Sequence, residues 1–100
     1  MIYITQLVYV KPGKEAVFEE FEAVAIPAIA RYNGVLMLRL RPGADTVIEA
    51  GIAPPYEVHL VSFESEEDFE RFKADETRKQ FLHLKEESVS AMLLIKGTGL

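Results

Sequence analysis

The chain has 100 residues, 49% of them apolar, a formal net charge of −5 and no cysteine. One domain with a real core fits that length, disorder does not fit that apolar content, and an acidic chain with eleven scattered Lys and Arg is a poor nucleic-acid binder. The missing cysteines exclude disulfides, thiolate chemistry and Cys-based zinc sites, and they fit a reducing compartment.

Ile2–Val10 reads as the first strand, rich in Val, Ile and Tyr. Ile2, Ile4, Val8 and Val10 alternate with Tyr3, Leu7 and Tyr9, so both faces are mostly apolar and both should be covered. Gln6 interrupts the first face. A buried amide there needs a partner, either a strand side chain or a ligand. The opening MIYITQLVYV lacks the basic start and A-x-A site of a signal peptide. No apolar run reaches the ~18 residues of a membrane span. The expectation is a cytoplasmic protein that meets no membrane.

After the Lys11-Pro12-Gly13 turn, a helix is predicted over Lys14–Tyr32. Val17, Phe18, Phe21, Val24, Ala25, Ala28, Ile29 and Tyr32 recur at steps of three and four, which makes one apolar stripe. Glu15, Glu19, Glu20 and Glu22 fall in its first half and Arg31 near its end, as the helix dipole favours. Pro27 should kink the helix or end its regular part. Asn33 and Gly34 suit a left-handed exit.

Val35–Arg41 is the second strand, with Leu36, Leu38 and Leu40 on one face and Met37, Arg39 and Arg41 on the other. Within 44–55, Thr46–Glu49 could continue the strand before Pro54-Pro55 stops it. Tyr56–Glu64 is the third strand. Ser65 is an N-cap with Asp68 as its capping-box partner, opening a helix that turns Phe69 and Phe72 inward. Asp75-Glu76-Thr77 marks a break and a second cap. A helix over Thr77–Ser88 and a last strand over Ala91–Lys96 follow, with Gly97–Leu100 as a tail.

The order β-α-β-β-α-β is that of an α+β, ferredoxin-like domain spanning residues 1–100, with a four-stranded antiparallel sheet and its helices on one face. The other face has no cover from this chain, although its strands are apolar on both sides. A second copy placed sheet to sheet is the simplest cover, so a homodimer is expected.

Several features occur together: Phe21 before an Ile26-Pro27 step, Tyr32-Asn33-Gly34 leading to Arg39, Val47-Ile48-Glu49, Pro54-Pro55, a strand ending in Phe63, and Ser65 with its helix. In these the chain resembles a bacterial family of unknown function in the dimeric α+β-barrel superfamily, distantly related to antibiotic-biosynthesis monooxygenases, haem-degrading monooxygenases and muconolactone isomerases. The resemblance implies a barrel built by two sheets and implies no single activity.

Among the side chains that could carry chemistry, His59 is mid-strand among apolar neighbours, either a general base or a buried neutral ring. It shares its face with Val61 and Phe63, of which Phe63 reads as helix-facing. Arg39 and Arg41 lie opposite the leucines. If the leucines meet the helices, Arg39 lines the barrel and holds a small anion, or it is an edge charge. Tyr3, with the other tyrosines, could face a flat ligand or pack an interface. Haem-degrading relatives carry a helix histidine near His83, but this chain has no Trp, and its one asparagine sits in the turn at 33, so His83 reads as a surface residue. The acids at 64–70 read as a solvated helix start. No phosphate loop, zinc motif or catalytic triad spacing occurs.

Two classes of function follow. One is a cofactor-free, metal-free enzyme of monooxygenase or isomerase type, with His59 as catalytic residue and Arg39, Gln6 and Tyr3 binding a small anionic or aromatic molecule. The other is a non-catalytic dimeric module, in which Arg39, His59 and Gln6 have partners inside the chain and no cavity reaches the ~300 Å3 of a ligand site.

Overall fold

The opening apolar run is strand β1, Ile2–Val10, in a computed structural model that describes residues 1–98. Helix α1 is Glu15–Arg31, β2 is Gly34–Leu40, β3 is Glu57–Phe63 and β4 is Val89–Thr98. Between β3 and β4 lie α2 (Glu66–Lys73), α3 (Glu76–Gln80) and α4 (Leu82–Ser88). The strands form one antiparallel sheet in the order β2-β3-β1-β4. The molecule is a slab 16 Å thick, a sheet with one layer of helices. The fold is α+β and ferredoxin-like, as the element order implies.

The core lies between sheet and helices. Ile2, Ile4, Ile29, Val61, Phe63 and Phe69 form its main cluster. Phe18 and Val8 are fully buried beside it. Helix α1 continues through Pro27 rather than ending there. Its proline lies on the exposed side, where distortion disturbs no packing.

The exit from α1 works as its sequence suggests, with the roles divided. Asn33 itself takes the left-handed conformation, at φ 57°. Gly34 is needed for space: a Cβ there would lie 2.6 Å from Ile29 Cγ2, 2.7 Å from Phe63 Cε1 and 2.9 Å from the Ile29 carbonyl oxygen. Asn33 Nδ2 donates to Asp68 Oδ1 at 3.2 Å, tying this turn to α2. Ser65 caps α2 by accepting from the Asp68 amide. Asp75 caps α3 by accepting from the Arg78 amide at 2.7 Å and also accepts from the Tyr32 hydroxyl at 2.6 Å.

Four expectations need correction. The predicted helix over Thr77–Ser88 is two short helices that meet at Phe81. Thr46–Glu49 forms no strand; a single 3-10 turn at Ala44–Thr46 stands in an otherwise irregular connection. β4 extends from Val89 to Thr98, so Gly97 and Thr98 belong to the sheet; the rest of the expected tail lies outside the described residues.

The fourth correction concerns faces. Leu36 pairs with Val61, but Leu38 pairs with Leu60 and Arg39 with His59. Two steps on β2 therefore oppose one on β3, a bulge at Met37. Beyond the bulge the alternation inverts. Leu36 keeps to the helix side, while Leu38 and Leu40 turn to the open face and Arg39 and Arg41 turn toward α1. The expected grouping of Leu36, Leu38 and Leu40 on one face is wrong for that reason.

The open face carries Val35, Leu38, Leu40, Leu93 and Ile95, each at least 39% exposed. No helix among the described residues is long and apolar enough to cross a membrane.

Candidate functional site: a buried carboxylate–histidine cluster

On the inner face of β3, alternation places Glu57, His59, Val61 and Phe63 in a row against the helices. All four are buried. The parity of His59 with Phe63 is thus the parity of the core. Its cross-strand neighbour on β1 is Gln6, and on β2 it is Arg39. Helix α1 covers them with Glu22, which sits one turn after Phe18 and one before Ala25 on the buried stripe.

Glu57 is the electrostatic hub. Its Oε2 accepts from Arg39 Nε and its Oε1 from Arg41 Nε, each at 3.0 Å. His59 Nε2 makes a further short contact with Oε2. Burial alone would raise this carboxyl, but the hydrogen bonds from Arg39, His59 and Arg41 outweigh it and hold the group below the usual carboxylate range. Both arginines also reach Glu19 on α1.

Glu22 stands in the opposite condition. Burial and then the neighbouring Glu57 charge push it up to about 7, and Arg39 offsets only part of that rise. Its Oε2 is 3.8 Å from His59 Nε2. The other ring nitrogen, Nδ1, lies 3.3 Å from Gln6 Oε1. Turning the amide would present its NH2 there instead, so Gln6 can serve the ring in either protonation state. Two carboxyls held at opposite ends of their range around one imidazole form an arrangement suited to proton transfer.

Gln6, Glu22 and His59 line a cavity of about 40 Å3 between α1 and the sheet. Its other walls are apolar, among them Ile4, Phe21, Ile29 and Phe63, except for Arg78 and Lys85 from α3 and α4. Burial lowers the pKa of both cations below their ordinary values. A space of this size admits one or two waters or a small head group, well short of a drug-sized ligand. A second, open groove of about 310 Å3 runs along the β2 edge beside Arg39, Leu40, Arg41 and Glu57.

Of the residues singled out in the sequence, His59, Gln6 and Arg39 come together. Arg39 does so as a partner of Glu57 and Glu19 on the helix side, and not on the barrel side of the sheet. Tyr3 is apart from them: it pairs with Ser62 and Gly97, with its side chain on the open face. His83 is exposed on α4, stacked on Phe81, and does not line the cavity. Tyr32 packs against the core cluster. Reading the sequence missed Glu22, Glu57, Arg78 and Lys85. The first two had a signal. Glu22 falls on the apolar stripe at Phe18+4 and Ala25−3, and Glu57 shares the parity of His59 and Phe63.

One ligand atom each from Glu22, Glu57 and His59 lies within 4.8 Å of the others, a spacing that could hold a divalent cation. The donor set fits poorly. Both Glu57 oxygens already accept from arginines, so a cation would have to displace guanidinium groups or share their carboxylate.

No protein-family profile matches this chain, and no curated protein matches it. Solved structures do. The RPA0582 protein of unknown function from Rhodopseudomonas palustris is 15% identical, with a TM-score of 0.83 over 99% of this chain and 82% of that one. The ferredoxin-like fold is shared. A Nitrosomonas europaea protein, provisionally named an antibiotic biosynthesis monooxygenase, is 14% identical, with a TM-score of 0.76 over 100% of this chain and 99% of that one. An uncharacterised NIPSNAP-like domain protein from Burkholderia xenovorans is 18% identical, with a TM-score of 0.68 over 99% and 84% of the two chains. At these identities the likeness concerns fold alone, and it agrees with the ferredoxin-like fold expected from the element order.

Proposed function

We propose that the cavity between α1 and the sheet is the active site of a cofactor-free enzyme that moves a proton on a small organic molecule, an isomerase-type reaction. His59 is the group that transfers the proton, and Glu22 supplies or receives it. The observation that carries this reading is the Glu22 carboxyl, raised to about 7 on the cavity wall and 3.8 Å from His59 Nε2. A catalytic acid or base works best with its pKa near the operating pH. Glu57, clamped by Arg39 and Arg41, orients the ring and stays ionised throughout. The small cavity favours a compact substrate over a polycyclic one.

A second reading, a non-catalytic dimeric module, is favoured by the internal partners of Arg39, His59 and Gln6. The two readings separate in deuterated water. Small carbonyl acids and lactones are incubated with the protein, and exchange at carbon is followed by proton NMR. Catalysis predicts exchange above the buffer rate that His59→Asn abolishes. Exchange at the buffer rate for every compound leaves the module.

The apolar open face supports a dimer with the two sheets facing each other across a two-fold axis. Leu38 and Ile95 would lie inside that interface. Sedimentation at micromolar concentration should give twice the protomer mass, and Leu38→Lys with Ile95→Lys should give one protomer mass. A wild-type protomer at that concentration would remove the proposal.

A further inference from the structure

The four guanidinium and ammonium groups around the cluster fall into two pairs. Arg39 and Arg41 are engaged with Glu57 and Glu19. Arg78 and Lys85 make no ion pair among the described residues. The carboxylates nearest them are otherwise occupied or outward. Asp75 accepts from Arg31, Tyr32 and the Arg78 amide, and Glu86 is exposed. That leaves Glu22, which acts on both cations and which burial raises to about 7, so that near neutral pH a substantial share of it carries no charge.

Arg78 is also built into place. Its guanidinium lies over the rings of Phe21 and Phe72, 5.7 and 5.1 Å from their centroids, and Nη1 donates to the Lys73 carbonyl at 3.3 Å. Its Nε is buried and has no hydrogen-bond partner, alone in this among the described side-chain nitrogens and oxygens. Buried donors in folded proteins are normally satisfied. Arg78 lines the cavity together with a second cation, Lys85, and two cations on one cavity suit an anion. The flat guanidinium fork selects a trigonal oxyanion over a spherical one.

We propose that Arg78 and Lys85 form the anion seat of this cavity, and that its substrate carries a carboxylate bound there with the reacting carbon directed toward His59 and Glu22. This rests on the acid–base reading above and moves the anion-binding role from Arg39 to residues on α3 and α4. The carboxylate and the reacting carbon would both have to fit a cavity of about 40 Å3, so the substrate is a short-chain acid. Its charge is met by two cations that make no ion pair among the described residues, whereas Arg39 already donates to Glu57 and Glu19.

The test is calorimetric titration of the full chain in chloride-free buffer with sodium acetate and sodium pyruvate, and with acetamide and acetone as neutral counterparts. The carboxylates should bind at least ~10-fold more tightly than the neutral molecules. Arg78→Met and Lys85→Met should each weaken them ~10-fold or more. Arg78→Lys, which keeps the charge and loses the Nε–H, should weaken them too. If Arg78→Met fails to fold, Arg78→Lys and Lys85→Met carry the test. Wild-type protein that binds neither carboxylate, acetamide that binds as well as acetate, or Arg78 and Lys85 variants that bind like wild type would each overturn the seat. Deuterium exchange that His59→Asn abolishes, together with unaltered carboxylate binding in those variants, would overturn the seat and keep the acid–base reading. Carboxylate binding lost in the variants, with no exchange in wild type, would do the reverse.

Discussion

Replacing Glu22 with Gln should make this protein more stable, and the gain should depend on pH in a defined way. The amide is nearly isosteric with the protonated carboxyl but cannot ionise. In wild type, burial and the Glu57 charge raise Glu22 from its ordinary 4.5 to about 7. A group whose pKa is raised on folding contributes stability that is fully present below its unfolded value and is lost as pH rises through the folded value. At about 1.4 kcal/mol per pH unit, that rise corresponds to roughly 3 kcal/mol of strain carried by wild type once Glu22 is ionised. Glu22→Gln should therefore match wild type near pH 4.5, gain progressively up to pH 7, and level off above it at roughly 3 kcal/mol, about a few hundredfold in the folding constant. The groups facing Glu22 are His59 and Glu57 on β3, Arg39 on β2, Glu19 on α1, Arg78 on α3 and Lys85 on α4. Glu57 works in the opposite sense, since its lowered pKa adds stability above its unfolded value that is lost in acid, and comparing variant with wild type at each pH removes most of it. Urea unfolding of both proteins across pH 4.5 to 8.5 measures the difference. A carbon-detected NMR titration of the Glu22 carboxyl should show a midpoint near 7. A stability difference that does not change with pH, or a midpoint in the usual carboxylate range, would refute the reasoning and with it the acid–base reading.

Two further outcomes follow from the turn and the cap. Gly34→Ala should lower stability by at least ~1–3 kcal/mol, because the new methyl meets a backbone carbonyl as well as Ile29 and Phe63, whereas Asn33→Gly keeps the left-handed φ and loses only the bond to Asp68, about 1 kcal/mol; thermal melts of the two variants check the contrast. Asp75→Ala should cost about 1–2 kcal/mol through loss of the α3 cap, with little due to its bond to the half-exposed Arg31, so Arg31→Ala should melt close to wild type.

The limits of legibility can be followed residue by residue. The strands, the starts of α1, α2 and α3, the Ser65 cap and the turn at Asn33-Gly34 were readable because each depends on neighbours in the chain. β-branched alternation, a hydroxyl before an acidic turn and a small residue after a helix act locally. Part of the site was readable in the same way: His59 shares its parity with Phe63, which read as helix-facing, and the structure puts the ring against the helices. Glu22 and Glu57 were readable in principle but looked like ordinary surface acids, because charge suggests solvent unless burial is known. Arg78 and Lys85 were out of reach, since the break at Phe81 depends on how α3 and α4 pack on α1.

What the sequence alone determined is the element order, and with it the ferredoxin-like sheet and the apolar stripe of α1. What only the tertiary structure decided is which face each charged side chain occupies. One extra residue at Met37 inverts the alternation of β2 and carries Arg39 and Arg41 from the open face to the helix side, where Glu57 and Glu19 neutralise them. A bulge leaves no mark in a pattern of period two until the partner strand is known. Pairing across strands separated in the chain brings these groups together, and burial beneath a helix shifts Glu22, Arg78 and Lys85 from their ordinary values.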